Sequence, residues 1–262
     1  MNIEGKTVWI TGASSGIGEA LTYALNKRNC KLIISSRRVH ELQAVRSNCQ
    51  NKDAVSIVPL DLAAYESMPE RVQQVVAEFG PIDILINNAG LSQRSLIAET
   101  AIDVYKKLID INYLGTVAMT KALLPHFITN KNGHFVTVTS LMGKFGSPYR
   151  SGYCGAKHAL HGFFDVLRME HAKDGIGVTL ICPGFVNTNV AKNALTADGS
   201  SQNTQDKATQ NGLSVETFAK KMIRAIEKEK FEAYIARKER MGIYLRFFPK
   251  LLHKVVLKST VK

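Results

Sequence analysis

The 262-residue chain is 45% hydrophobic and 21% charged, a composition typical of a folded globular protein. No apolar run reaches the roughly 18 residues that a membrane-spanning helix needs, and no signal pattern opens the sequence, so a cytoplasmic location is expected. The net charge of +12 is concentrated in residues 217–262, which contain thirteen lysines and arginines against four acidic residues. No aromatic and basic platform accompanies this charge, so nucleic-acid binding is not expected.

The cysteines and histidines show no metal-binding pattern. His158 and His161 lie one helical turn apart, but no carboxylate or thiolate accompanies them. The cysteines are widely spaced without a CxxC pair, which favours free buried thiols in a reducing compartment. These are Cys30, Cys49, Cys154 and Cys182. We therefore predict no metal site.

The first element is a short apolar strand, Lys6–Thr11, which breaks at a glycine-rich turn before a helix from Ile17 to Asn29. Strand, glycine turn and helix start together can hold a pyrophosphate, because glycines let the backbone come close and the helix end supplies N–H groups. The alternative is a glycine turn without a ligand. The residues of this turn assigned to a nucleotide site are Gly12, Ser14, Ser15, Gly16, Ile17 and Gly18.

The second predicted strand, Lys31–Ser36, ends in Ser36-Arg37-Arg38. A site for NAD usually places an acidic residue here to accept bonds from the ribose 2′-hydroxyl, whereas arginine forks suit a 2′-phosphate. The sequence therefore favours NADP(H) over NAD(H). The alternative is that the two arginines only solvate the start of the next helix, Val39–Cys49.

The third predicted strand, Ala54–Leu60, closes with Asp61-Leu62. Asp61 either bonds the adenine or caps the following helix, Ala63–Phe79. Both residues are assigned to the nucleotide site.

A near-continuous apolar run, Ile82–Ile86, is typical of a central parallel strand. It leads into Asn87-Asn88-Ala89-Gly90. The small Ala89 and Gly90 would let a flat cofactor lie against the backbone, and Asn87 and Asn88 would tie neighbouring strands together.

A long helical stretch, Ala101–Thr129, contains Asn112 on an apolar face. A buried amide is costly unless it is hydrogen-bonded, so Asn112 is predicted to hold a local kink and a water. The next strand, Gly133–Ser140, places Ser140 just outside its carboxyl end, where open α/β sheets bind ligands.

Tyr153 and Lys157 lie one turn apart on a helix predicted over Gly152–His171. A free tyrosine has a pKa of about 10, and a nearby ammonium favours the phenolate, so the pair can act as a proton donor and acceptor. Taken alone, the spacing is also that of an ordinary surface pair. A further strand, Val178–Cys182, leads into Pro183-Gly184.

Six alternating β–α units with apolar strands predict a parallel sheet covered by helices on both faces. With the motifs above, the chain from Lys6 to about Ala236 resembles the short-chain dehydrogenases/reductases. Within that family, Ser36-Arg37-Arg38 and the stretch 152–164 resemble the branch of the 11β-hydroxysteroid dehydrogenases and their relatives. The resemblance implies a single Rossmann-type, doubly wound α/β domain of about seven strands over residues 1–240.

The resemblance also implies roles. Tyr153 would exchange a proton with a carbonyl or alcohol oxygen, Ser140 would bond that oxygen, and Lys157 would lower the Tyr153 pKa and hold the cofactor ribose. Asn112 would support a proton-relay water, and Thr188 would bond the nicotinamide carboxamide. The catalytic set is Asn112, Ser140, Tyr153 and Lys157. Beyond the turns already named, the cofactor set includes Asn88, Ala89, Gly90, Tyr153, Lys157, Pro183, Gly184, Val186 and Thr188.

The expected activity is NADP(H)-dependent interconversion of a carbonyl and an alcohol on a hydrophobic substrate. The alternative is a non-catalytic NADP-binding regulatory protein on the same scaffold. The polar segment 189–212 is interpreted as a lid over the site, or else as a passive surface loop. The expected substrate contacts are Ser140, Leu141, Met142, Tyr149, Tyr153 and Phe185.

The helices that carry Asn112 and Tyr153 are apolar on more than one face, and in relatives such helices pair across a two-fold axis. A homodimer or homotetramer is therefore expected. The outward apolar candidates are Leu123, Leu124, Phe127, Phe163, Phe164 and Leu167.

The extension 241–262 is basic and amphipathic. A helix beginning at Pro249 would place Leu251, Leu252, Val255 and Val256 on one face. It would lie either in an anionic membrane surface, as a peripheral contact, or against the catalytic domain or a partner. Its basic residues recur every four positions: Arg246, Lys250, Lys254, Lys258 and Lys262.

Overall fold

A computed structural model describes residues 1–260, with side chains through residue 258; the predicted Lys262 lies outside this part. The strands are β1 (Thr7–Thr11), β2 (Lys31–Ser35), β3 (Val55–Ile57), β4 (Ile84–Asn87), β5 (Gly133–Val138), β6 (Ile176–Pro183) and β7 (Glu232–Ile235). They form one parallel sheet in the order β3-β2-β1-β4-β5-β6-β7. The predicted Rossmann-type, doubly wound α/β fold in a single domain is confirmed.

Helices cover both faces of this sheet. The described helices are α1 (Gly16–Asn26), α2 (Val39–Ser47), α3 (Met68–Phe79), α4 (Ile102–Ile109), α5 (Gly115–Asn130), α6 (Ser151–Glu170), α7 (Lys207–Gln210), α8 (Val215–Glu227), α9 (Met241–Leu245) and α10 (Pro249–Thr260). Within residues 1–260, none of them has the length and apolar character that crossing a bilayer requires.

The two faces of the sheet bury separate cores. Side chains alternate along a strand, so Val8 and Ile10 of β1 enter one core while Trp9 enters the other. The first core packs α1, α2 and α8 against the sheet, and the second packs α3, α5 and α6. Central strands are therefore buried on both sides, which explains their continuous apolar runs.

Two elements differ from the predicted ones. The helix expected over Ala101–Thr129 is interrupted by a π-helical turn at Asp110–Leu114, between α4 and α5. The third strand ends at Ile57 instead of Leu60, although Val58 N and Leu60 N still donate to Ile34 O and Ser36 O at the neighbouring strand.

The apolar residues expected at an oligomer interface are mostly internal. Leu123, Phe127, Phe164 and Leu167 lie in the core, which corrects the sequence interpretation of these positions. Only Leu124 and Phe163 remain half-buried. The apolar side chains that these two helices expose are Ile128, Val166 and Met169.

The C-terminal helix divides its apolar residues between two environments. Leu252 and Val256 pack on a cluster of Leu141, Phe145, Cys182 and Ile243. In contrast, Leu251 and Val255 are 49% and 44% exposed. The helix therefore docks on the domain and still presents an apolar edge to the outside.

Candidate active site

An open cleft of about 560 Å³ lies at the carboxyl ends of the central strands. It spans the point between β1 and β4 where the strand order reverses, which is where doubly wound sheets bind ligands. Of the predicted cofactor residues, all except Gly18 line it. Ser140, Tyr153 and Lys157 line it as well.

The glycine turn after β1 is packed too tightly for side chains. Gly12 adopts φ +65°, and a Cβ there would lie 2.7 Å from Ala89 Cα. Gly16 adopts φ +61°, and a Cβ on Gly18 would lie 2.4 Å from the Gly12 carbonyl oxygen. The turn therefore presents bare backbone to the cleft beside the start of α1, which is the cradle that a pyrophosphate fits.

Asn88 fastens this turn to β4. Its Nδ2 donates to the carbonyl oxygens of Thr11 and Gly12, at 3.0 and 3.1 Å. The Thr11 hydroxyl accepts in return from the backbone N–H of Asn88 and Ala89. These four bonds hold the Gly12 turn and Ala89 in fixed positions at the floor of the cleft.

The basic pair after β2 borders the same turn. Arg38 Nη2 donates to the hydroxyls of Ser14 and Ser15, both at 2.9 Å. Arg37 is exposed and makes no hydrogen bond within the described residues. Of the two arginines, Arg37 is thus the one whose guanidinium is available to a ligand.

The Asp61 carboxylate accepts from the Ala63 N–H at 3.0 Å and so forms a local turn.

Asn112 lies at the centre of the π-helical turn and is fully buried. Its Oδ1 accepts from Leu91 N at 2.7 Å, and its Nδ2 donates to Leu91 O at 2.9 Å. The amide is therefore satisfied by the loop after β4, which it holds in place. Asn112 does not line the cleft. It lies directly behind Gly90, where an added Cβ would be 2.9 Å from Asn112 Oδ1 and 3.5 Å from Lys157 Nζ.

Lys157 and Ser140 flank Tyr153 at the floor of the cleft. Lys157 Nζ donates to Val138 O at 2.8 Å and lies 5.9 Å from the centre of the Tyr153 ring. Burial lowers the pKa of Lys157 to about 8. Ser140 Oγ accepts from Met142 N at 3.0 Å, and its hydroxyl also hydrogen-bonds the Tyr153 phenol.

Burial also dominates the electrostatics of Tyr153. It raises the pKa of the phenol, and the Ser140 hydroxyl and the charges of Arg94 and Arg150 offset only part of the rise. The lowered pKa of Tyr153 that was expected from the neighbouring lysine is therefore not found. At neutral pH the phenol keeps its proton.

Comparison with known proteins decides the family. The family model described as short chain dehydrogenase matches residues 6–199. The chain belongs to the short-chain dehydrogenase family. Dehydrogenase/reductase SDR family member 7 of Homo sapiens is 50% identical, and the match covers 73% of this chain and 58% of that protein. Dehydrogenase/reductase SDR family protein 7-like of Drosophila melanogaster is 38% identical over 99% of this chain and 82% of the relative. The chain thus spans less than two thirds of the human relative's length.

Solved structures share the short-chain dehydrogenase fold. A short chain dehydrogenase/reductase from Burkholderia phymatum in complex with NAD has a TM-score of 0.84 at 21% identity, covering 97% of this chain and 96% of that one. An alcohol dehydrogenase from the archaeon Thermococcus sibiricus complexed with 5-hydroxy-NADP has a TM-score of 0.75 at 25% identity, covering 88% and 96%.

One positioning residue of this short-chain dehydrogenase was missed by the sequence interpretation. Gln93 is fully buried, and its Oε1 accepts from Gly152 N at 2.8 Å and Tyr153 N at 3.3 Å. The first N–H groups of a helix have no partner inside the helix, so Gln93 caps α6 from outside and fixes the turn that carries Tyr153. The sequence did carry one indication of this role: Gln93 follows shortly after the carboxyl end of β4, where open α/β sheets bind ligands.

The substrate end of the cleft differs in part from the predicted set. Met142 and Phe185 line it, but Tyr149 does not. Leu141 borders it, yet its side chain is fully buried in the cluster with Phe145. The sequence interpretation missed Arg94, Arg150, Leu195 and Glu239, all of which line the cleft.

Proposed function

We propose that this chain is an NADP(H)-dependent oxidoreductase that interconverts a carbonyl and an alcohol on a hydrophobic substrate. The observation that carries the proposal is the placement of Ser140, Tyr153 and Lys157 in one cleft beside the tightly packed glycine turn that follows β1. The cradle fits a dinucleotide because its bare backbone and helix start suit a pyrophosphate. When bound, the nicotinamide supplies or accepts the hydride.

The protein's own groups manage the proton. Tyr153, kept protonated by burial, donates its proton to the carbonyl oxygen during reduction and takes it back during oxidation. Ser140, whose hydroxyl lies beside the Tyr153 phenol, donates to the same oxygen and fixes its position. Lys157, charged below pH of about 8, supports the phenolate that remains and holds the ribose hydroxyls.

Asn112 acts as a positioning residue in this mechanism. Its side chain is committed to Leu91, so it holds the loop after β4 against the cofactor site. A water near Lys157 would relay protons in this mechanism, as the family resemblance implies.

The preference for NADP(H) rests on Arg37. Among the folds above, one protein binds NAD and another a form of NADP, so the fold alone gives no preference. No acidic residue follows β2 to accept the ribose 2′-hydroxyl, and Arg37 is unengaged while Arg38 holds the cradle serines. A guanidinium in this place suits a 2′-phosphate.

The substrate is proposed to have a hydrophobic body beside its reacting group. Met142, Phe185, Val190 and Leu195 line the cleft. Val190 and Leu195 belong to the segment 189–212, which lies over the site and bonds back to the loop after β4 through Leu195 N to Ser92 O. We propose that this segment serves as the lid.

The C-terminal tail is proposed to contact an anionic membrane surface. Phe247 and Phe248 are 71% and 65% exposed, next to the exposed Leu251 and Val255, and the lysines of α10 form no ion pair within the described chain. Exposed apolar side chains beside unpaired lysines suit a bilayer of anionic lipid.

Sedimentation with phosphatidylserine vesicles tests this contact. Phe247→Ser combined with Phe248→Ser should abolish binding that salt weakens, whereas Phe231→Ser, equally exposed but outside the tail, should leave it intact. Substitution is preferable to truncation, because Gly242 and Ile243 pack against Phe145. If the unsubstituted chain ignores the vesicles at low salt, the tail is a packing element only.

A homodimer or homotetramer is also proposed, through the outer edges of α5 and α6. Half-buried Leu124 and Phe163 and exposed Val166 and Met169 provide the apolar contact. Light scattering at micromolar concentration should give a multiple of the 28.9 kDa chain mass. A monomer would refute this assembly.

A screen of ketones, aldehydes and alcohols, followed through NADPH absorbance, tests the proposed reaction. The oxidoreductase proposal expects turnover of at least one hydrophobic carbonyl compound. NADPH binding by calorimetry without turnover of any compound would instead support the non-catalytic regulatory alternative.

A further inference from the structure

Two arginines that the proposed mechanism does not use line the cleft beside Tyr153. The side chains of Arg94 and Arg150 are 13% and 12% exposed. After the dominant effect of burial, which raises the pKa of Tyr153, their charges are among those that lower it. Both positive charges therefore act at the point where the substrate oxygen would lie.

The described residues provide one carboxylate for these two guanidinium groups. Asp206 Oδ2 lies 2.8 Å from Arg94 Nη2 and 4.0 Å from Arg150 Nη2. Asp206 also caps α7 by accepting from Thr209 N at 2.7 Å, so its position is fixed by the lid segment. One of the two positive charges therefore has no acidic partner, and burying an unpaired charge is energetically costly.

Both guanidinium groups have unused donors, but the unpaired Nε of Arg94 is itself buried, which leaves Arg150 as the group with donors that a ligand can reach. Arg94 donates to Ser92 Oγ, to Gln93 O and to Asp206. Arg150 uses only Nη1, which donates to Ser147 Oγ at 3.2 Å and Pro148 O at 3.3 Å. Its Nε and Nη2 donate to no acceptor in the part of the chain that the structure describes. That edge is the fork that binds a carboxylate through two parallel bonds.

The backbone before Arg150 is unusual as well. Tyr149 adopts φ +66°, a left-handed conformation that is costly for a bulky aromatic residue. Its carbonyl oxygen accepts from Ser95 N at 3.1 Å, which ties it to the loop that carries Arg94. Such strain persists where the surrounding structure enforces it, commonly at binding sites.

We propose that Arg150, supported by Arg94, binds an anionic oxygen group of the substrate whose carbonyl lies at Tyr153. The single excess charge favours a carboxylate; a phosphate monoester shares the same chemistry. The substrate class would then be a keto acid with an apolar body, or its hydroxy acid. This inference rests on the proposed oxidoreductase function and refines its substrate.

Substrates that share one aromatic ketone and differ in the group at the other end of the chain test the inference. With NADPH, 4-oxo-4-phenylbutanoate is compared with its methyl ester and with 4-oxo-4-phenylbutyl phosphate, and binding of each is measured by calorimetry with NADP⁺ present. The acid should be preferred over the ester, and Arg150→Gln should raise the KM for the acid by about tenfold or more while changing kcat/KM for the ester little. Arg150→Lys should retain part of the preference.

Arg224→Gln, at an exposed site on α8, serves as the matched control and should behave as the unsubstituted chain. Stronger binding of the phosphate than of the acid, again lost in Arg150→Gln, would support the site and assign a phosphate monoester to it. Equal use of acid and ester, or equal weakening of both by Arg150→Gln, would overturn the inference and leave the oxidoreductase proposal standing.

If no carbonyl compound is reduced, the oxidoreductase proposal fails and calorimetry alone decides the anion site. Acid binding that Arg150→Gln removes would then support the site, and no acid binding would overturn it.

Discussion

Replacing Lys157 by methionine should change how stability depends on pH. Burial lowers the pKa of Lys157 in the folded chain to about 8, against a usual value of about 10.5 in the unfolded chain. The folded chain therefore disfavours the charged form of Lys157. This group costs no stability above the pKa that it has in the unfolded chain, and stability is lost as the pH falls toward the pKa that it has in the folded chain. By linkage, the charge costs about 3 kcal/mol at pH 7 and about 1 kcal/mol at pH 10.

The free energy of unfolding of both proteins, measured in urea at pH 7 and pH 10, checks this value. Because every other titrating group is shared, the difference between the two proteins isolates Lys157. The unsubstituted chain should gain about 2 kcal/mol relative to Lys157→Met between these pH values. The variant should also lose turnover, since methionine cannot hold a charge beside Tyr153. A stability difference that does not vary with pH would refute the buried, destabilised ammonium.

Three further substitutions test other parts of the site. Arg37→Asp should weaken NADPH binding by at least about tenfold, roughly 1.4 kcal/mol, with NADH affected far less; equal weakening of both cofactors in calorimetry would show that Arg37 is not the selector. Gly12→Ala should weaken NADPH binding and cost about 1–3 kcal/mol of stability, because φ is +65° and the new Cβ meets Ala89; an unchanged Kd would remove the cradle argument. Gln93→Leu should lower kcat more than it raises KM, since it leaves the N–H groups of Gly152 and Tyr153 unpaired, and Gln93→Glu should restore much of kcat; an unaltered kcat in Gln93→Leu would exclude this positioning role.

The sheet could be predicted because its pattern is local. Each central strand is a continuous apolar run, and each turn after a strand carries the residues that its backbone needs, such as Gly12 at φ +65°. The order of the motifs placed Ser140, Tyr153 and Lys157 at one edge of the sheet, and the structure brings them together there.

The features of the site that could not be predicted from the sequence depend on contacts between residues that are distant along the chain. Arg94 and Asp206 are 112 positions apart, and Gln93 reaches Gly152 across 59. No spacing rule links such pairs. The apolar residues Leu123 and Phe127 could not be assigned to core or interface by periodicity, because both environments demand the same side chains. The raised pKa of Tyr153 likewise follows from burial, which only the folded chain defines.

In the proposed reaction, Tyr153 gives its proton to a carbonyl that receives hydride from NADPH. The direct test follows deuterium from NADPH labelled at its transferable position into the alcohol product by mass spectrometry, for the unsubstituted chain and for Tyr153→Phe. We expect a singly deuterated alcohol from the unsubstituted chain and almost none from Tyr153→Phe. The NADPH affinity of the variant, measured by calorimetry, should stay nearly unchanged. Comparable deuterium transfer by Tyr153→Phe would contradict it.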